Sequence, residues 1–163
     1  MRRSARAIII ENGKLLAFER HRRTKEGQKI HYLSIPGGGI DGNETPEQAV
    51  VRELKEELLV EVKPIKLVAH LFTDATEEHH SQEHYFFLCS RIAGEPRFNL
   101  ASDEARYGRQ DDTYRVVWRD LGDMDAVPSL HPVYQPVMKA LLPHLKHGDI
   151  PAEPLDIDTR SLV

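Results

Sequence analysis

The sequence predicts an α/β fold with a mixed sheet, and three observations carry that expectation. Apolar runs of strand length stand on both sides of one strongly capped helix. A second amphipathic helix follows towards the end of the chain. The 163 residues, 40% of them hydrophobic, suit one globular domain with a single substantial core. Strands before and after the same helix imply a sheet with parallel as well as antiparallel neighbours.

The chain opens with Ala5 to Ile10 and Lys14 to Phe18, two apolar runs separated by Glu11-Asn12-Gly13. Asn-Gly between such runs signals a tight β-hairpin. Glu19 to Gly27 is polar and rich in basic side chains, so it reads as a loop. That loop is either simply solvated or a patch for substrate phosphate, with Arg20 and Arg22 the better candidates because they lie nearest a strand end. His31 to Ile35 reads as a strand, and Pro36-Gly37-Gly38-Gly39 then turns the chain, with positive φ open to three consecutive glycines. Backbone can approach a ligand closely there, and Gly37 or Gly38 can offer a bare carbonyl oxygen to a hard cation.

The helix Pro46 to Leu58 announces its own start. Thr45 caps, Pro46 fits the first helical position, and Gln48 completes a Thr-x-x-Gln capping box. Val50, Val51, Leu54 and Leu58 form its aliphatic face, while Glu53, Glu56 and Glu57, at i, i+3 and i+4, share another. At roughly 6 Å and an effective dielectric of about 20, each pair of these carboxylates repels by about 3 kcal/mol before screening. A divalent cation relieves that repulsion. Arg52, one turn before Glu56, is expected to hold the array in place through ion pairing.

Val60 to Phe72 and His84 to Cys89 read as strands joined by Thr73 to Glu83. The linker contains Glu77-Glu78-His79-His80, followed by Glu83-His84, but the spacing fits no standard zinc pattern. His84 instead is a candidate for the substrate pocket. Ala93 to Asp112 reads as a polar loop with Arg106, Tyr107 and Arg109 as possible phosphate or base contacts, Arg109 among the substrate-binding candidates. Tyr114 to Trp118 is a strand, with Trp118 in the core. Pro132 to Lys146 closes the domain as a helix with Val133, Val137, Leu141 and Leu145 on one stripe. The domain is expected to span 1–147. Residues 148–163 read as a tail, poorly packed or strapped onto a partner subunit.

A net charge of −4 disfavours broad binding to nucleic acid and allows a small nucleotide delivered with its metal. With one cysteine, Cys89, and no apolar run long enough to span a bilayer or serve as a leader, the chain reads as cytoplasmic, with no membrane partner. Cys89 itself reads as a buried small side chain.

Gly38, Glu44, Arg52, Glu53, Leu54, Glu56, Glu57 and Val60 together resemble the box of the Nudix hydrolase family: Gly, five residues, Glu, seven residues, Arg-Glu-aliphatic-x-Glu-Glu-x-Gly-aliphatic. One position departs, since the family glycine is Leu59, and the exit from the helix is therefore expected to differ locally. The resemblance implies a Nudix-type α/β/α sandwich with a mixed central sheet. It also implies Mg²⁺- or Mn²⁺-dependent hydrolysis of a nucleoside diphosphate linked to another group. Glu53, Glu56 and Glu57 become metal ligands, with Glu53 or Glu57 touching the nucleophilic water, and Glu44 orients the loop or binds an outer metal. A further acid from outside the box is common in the family, and Asp103, Glu104, Asp111 and Asp112 are available.

Members acting on ADP-ribose tend to carry a proline where this chain has Ala75, and diadenosine-polyphosphate enzymes a tyrosine near Thr76 to Glu78. Elimination therefore favours a nucleoside triphosphate, damaged or not, giving monophosphate and pyrophosphate. The alternatives are a nucleotide-sensing module without turnover and an enzyme for ADP-ribose or another conjugate. A homodimer is an expectation from family analogy alone.

Overall fold

The computed structural model describes residues 1–75, 80–99, 113–123 and 130–160. Its strands are β1 (Arg2–Ile8), β2 (Ile10–Glu11), β3 (Lys14–Arg23), β4 (Lys29–Ser34), β5 (Gly37–Gly39), β6 (Glu61–Thr73), β7 (Gln82–Ala93), β8 (Thr113–Asp120) and β9 (Leu155–Asp158). Its helices are α1 (Pro46–Leu58) and α2 (Gln135–His147), the latter entered through a 3₁₀ turn, Pro132–Tyr134. None of the described helices is long and apolar enough to cross a membrane.

The strands form two sheets where one was expected. A five-stranded mixed sheet runs β5-β1-β7-β6-β9, with β1/β7 and β6/β9 parallel and the other pairs antiparallel. An antiparallel sheet sets β2 and β4 on one side of β3 and pairs β8 with β3 as well. The division falls at the predicted hairpin. Asn12 and Gly13 both take positive φ, 53° and 73°, as a tight turn between twisted strands demands, so β2 and β3 pair. Upstream of that turn, β1 leaves for the other sheet and lies between β5 and β7.

Alternation along β1 then builds a layer on each face. Ala5, Ala7 and Ile9 pack with Ala49, Val50, Leu54 and Leu58 of α1, whereas Ile8 packs with Val137, Leu141 and Leu145 of α2. This is the predicted α/β/α arrangement. Each fully buried leucine or valine of α1 stabilises the docking by about 2 kcal/mol. Val51 does not take part; about 100° round the helix from Val50, it stands at the margin of the buried face and is 36% exposed. Cys89 is buried as expected, which pushes its thiol up to about 12, and Trp118 packs partly buried against the α1-side cluster.

Two further expectations are corrected. The basic stretch begins as strand and not as loop: β3 continues to Arg23 because β4 and β8 pair along it, and only Thr24 to Gln28 turns. Residues 149–160 do not form a loose tail. β9 adds in parallel to Ala69–Phe72 of β6, and Ile150, Leu155 and Ile157 pack against the α2-side core.

Candidate active site

The acidic helix is held by its own start and by the loop before it. Thr45 accepts from the Gln48 backbone N–H at 3.1 Å while the Gln48 side chain accepts from the Thr45 N–H at 3.0 Å, so the predicted capping box is complete. At the other end, Leu59 itself adopts the left-handed conformation, with φ 58° and ψ 32°. The leucine takes the shape a glycine would take, so the expected local change of exit is not seen. Arg97 N–H donates to the Leu58 carbonyl at 3.1 Å and Asn99 N–H to that of Glu57 at 2.8 Å. The Asn99 side chain reaches the Glu56 carbonyl at 2.8 Å. The segment after β7 therefore satisfies the last carbonyls of α1.

Arg52 is the hub of the charged array. It donates to both Glu44 oxygens, from Nε at 2.7 Å and Nη2 at 2.9 Å. Nη1 reaches Glu53 at 3.0 Å and Glu56 at 3.2 Å, and Nη2 also reaches the Gly39 carbonyl at 2.9 Å. The guanidinium pulls the Glu44 carboxyl down to about 2, helped by the Asp41 backbone N–H. Arg52 is thus the expected organiser, and Glu44 is its bidentate partner, tying the loop to the helix.

The three glutamates are buried to different degrees, whereas the sequence suggested a single presented face. Helical geometry explains the order: Glu57 lies only about 20° from the direction of Val50, Glu53 about 60° and Glu56 about 120°. Accordingly Glu57 is 5% exposed, Glu53 is half-buried and Glu56 is open. Burial raises the Glu53 carboxyl above its ordinary value, against the pull of Arg52, with the Glu56 charge adding to the rise. Glu53 lies against the backbone of Gly38, where a Cβ would overlap its carboxylate. Gly37, at φ 145°, packs on the Ala5 carbonyl so closely that a Cβ there would overlap its oxygen. The glycines therefore serve close approach. They form the short strand β5, and only Gly37 among the three uses positive φ. The Gly37 carbonyl accepts from Arg6 at 3.2 Å.

Glu57 and Gly37 line a cavity of ≈ 590 Å³ together with residues of both sheets. Arg2, Arg6 and Arg20 bring positive charge to its wall, and Phe18, Tyr32, Tyr114 and Tyr134 bring ring surface. Arg20 stacks over Tyr114 with its carbon 4.8 Å from the ring centre and donates to the Tyr32 hydroxyl at 2.9 Å. Arg6 sits 5.4 Å over Tyr134. His84 lies in the same wall, 2% exposed, with Nδ1 2.6 Å from the Ser4 hydroxyl and a buried Nε2 that has no hydrogen-bond partner among the described residues. Burial, reinforced by the Arg6 charge, pulls the imidazole down to about 3, so it is neutral at physiological pH.

Of the sequence candidates, the cavity gathers Arg20, His84, Gly37 and Glu57. Arg22 follows on the same strand face but is not in its lining. Arg109, Asp103, Glu104, Asp111, Asp112, Arg106 and Tyr107 lie outside the described residues, as do Thr76, Glu77, Glu78 and His79. Glu83 is held by His70, Tyr85 and Arg3. Sequence reasoning missed Ser4 and Arg6. Their signal is the alternation of polar residues with Ala5 and Ala7 where the chain passes into an apolar run.

The donors offered by α1 and by the carbonyls of Gly37 and Gly38 are all oxygens, and three of them belong to carboxylates on one helix, Glu53, Glu56 and Glu57. That set fits a hard divalent cation.

A family model described as NUDIX domain matches residues 1–141. The 8-oxo-dGTP diphosphatase of Escherichia coli (strain K12) is 39% identical over 75 residues, 46% of this chain and 57% of that protein. An RNA pyrophosphohydrolase of Vibrio atlanticus (strain LGP32) is 54% identical over 39 residues, 24% of this chain and 23% of that protein. The chain thus spans about half the length of the curated diphosphatases it matches and less of the RNA enzymes. Among solved structures, the E. coli ORF135 protein superposes with a TM-score of 0.67 at 22% identity, covering 94% of this chain and 95% of that one. A MutT NUDIX hydrolase from Burkholderia pseudomallei gives 0.62 at 25% identity, covering 86% and 95%.

Proposed function

The chain belongs to the NUDIX family, and from that premise we propose that it hydrolyses the pyrophosphate bond of a nucleoside triphosphate, releasing the monophosphate and pyrophosphate. One observation carries the reading: Glu57 of the acidic helix opens into the same cavity as three arginines and four aromatic rings. A polyphosphate needs the first two and a base needs the third. The name of the E. coli relative makes an oxidised guanine nucleotide the first substrate to try.

Glu53, Glu56 and Glu57 would hold Mg²⁺ or Mn²⁺, together with a backbone carbonyl of Gly37 or Gly38. A cation bound there supplies charge neutralisation at the phosphate oxygens and acidifies a water. The remaining work belongs to side chains. Glu53 or Glu57 accepts the proton of the attacking water. Arg52 and Glu44 keep those carboxylates in register. Arg2 and Arg20 draw the polyphosphate inward, while Tyr32, Tyr114 and Tyr134 offer faces to the base. His84, neutral and oriented by Ser4, turns its Nε2 to a polar edge of the base.

The test is product release across a panel of ordinary and oxidised nucleoside triphosphates, with Mg²⁺ and with Mn²⁺. Glu57→Gln should keep the fold and lower kcat by about 10²-fold or more. Binding without release for every nucleotide, or full turnover in that variant, defeats the proposal.

A further inference from the structure

Three potential metal donors converge at a second place, on the face of β3 opposite to the one bearing Phe18 and Arg20. His21 and His31 are direct cross-strand partners in β3 and β4, and Glu19 stands two residues before His21 on the same side. Glu19 Oε1 is 3.2 Å from His21 Nε2 and 3.0 Å from His31 Nε2. The two rings stack with centres 4.3 Å apart and planes 21° from parallel, and both Nε2 atoms lie beside the same Glu19 oxygen. All three donor atoms lie within 4.8 Å of one another, the one such convergence of histidine, cysteine and carboxylate groups among the described residues.

We propose that Glu19, His21 and His31 form a binding site for a transition-metal ion of the Zn²⁺, Co²⁺ or Ni²⁺ type, separate from the carboxylate helix. Donors 2.0–2.1 Å from a tetrahedral ion stand about 3.3 Å apart, close to the spacings found between Glu19 and each histidine. Two imidazoles and one carboxylate on a single side leave the remaining positions to water, a set that favours these ions over Mg²⁺. The helix, which offers oxygen alone, has the reverse preference.

The carboxylate is also oriented for the task. Its other oxygen, Oε2, accepts from Arg115 at 2.9 Å and Arg119 at 3.2 Å, which turns Oε1 towards the histidines. The Glu19 side chain is 11% exposed, whereas those of His21 and His31 are 54% and 39% exposed, so an ion reaches the site from solvent and the rings can close on it. The same two histidines bridge β3 and β4 beside the Arg20–Tyr32 pair of the cavity wall. Loading the site therefore ties those strands together.

The test is a titration of the whole chain, stripped of metal, with Co²⁺ followed by its visible absorption and with Zn²⁺ by calorimetry, both in excess Mg²⁺. One ion per chain should bind, with a rise in Tm. His21→Ala and His31→Ala should each weaken binding about tenfold or more and abolish the Tm rise. Both side chains lie at the surface, so the metal-free Tm of each variant verifies that it folds. Glu53→Gln and Glu57→Gln should leave this binding unchanged. Unaltered binding in the histidine variants, loss of binding in the glutamine variants, or no binding up to millimolar ion each overturns the assignment. None of these outcomes depends on nucleotide turnover, so the site stands or falls apart from the proposed reaction.

Discussion

Leu59 holds a backbone conformation that its side chain resists. A left-handed residue with a β-carbon costs about 1 kcal/mol or more, and the Leu59 side chain recovers little of it because 38% of the residue is exposed. Leu59→Gly should therefore raise stability by about 1 kcal/mol in urea denaturation, with the α1 exit unchanged; a loss would mean that leucine packing outweighs the strain. Two positions earlier, Glu57 puts a carboxylate almost in line with Val50. The three acids, their spacing and their partner Arg52 are plain in the sequence. Their graded burial follows from the same helical angles once Val50 rather than Val51 is taken as the centre of the buried face. What sequence alone does not hold is the contact between Glu53 and Gly38, because it depends on how closely β5 approaches the helix.

At the scale of elements, α1 is legible from end to end because its signals are local: a cap, a proline, a capping box and a periodic apolar stripe. The full length of β3 is not legible in the sequence, for the opposite reason. Glu19 to Arg23 looks like a solvated loop until Glu19 is seen to gather Arg115, Arg119, His21 and His31 from its own strand and from β4 and β8. Long-range partners make strand of a charged run, and a single-strand pattern cannot show them. The capping of α1 by Arg97 and Asn99 is hidden in the same way. Both cases concern segments whose hydrogen-bond partners lie far along the chain.

At the scale of the molecule, the cavity exists because the chain divides its strands between two sheets, a partition that periodicity does not encode. Its wall carries a consequence for acid stability. His84 has a folded value near 3 against 6.5 when free, so between those limits the unfolded chain binds the extra proton and stability falls as pH falls. The contribution is fully present above 6.5 and is lost at up to about 1.4 kcal/mol per pH unit below it. Thermal melts between pH 7 and 4 should show a shallower decline for His84→Gln than for the native chain; equal slopes would refute a buried neutral imidazole.

β9 has a role beyond completing the pattern. It occupies the outer margin of β6 along Ala69–Phe72, and its own Ile157, with Ile150 just before it, roofs part of the α2-side core. Cutting the protein after Gly148 would leave that row of amide and carbonyl groups naked beside freshly uncovered aliphatic surface, a template on which any other extended strand can dock. The shortened form should self-associate and drift to larger size in gel filtration, even though every carboxylate of the acidic helix is still in place.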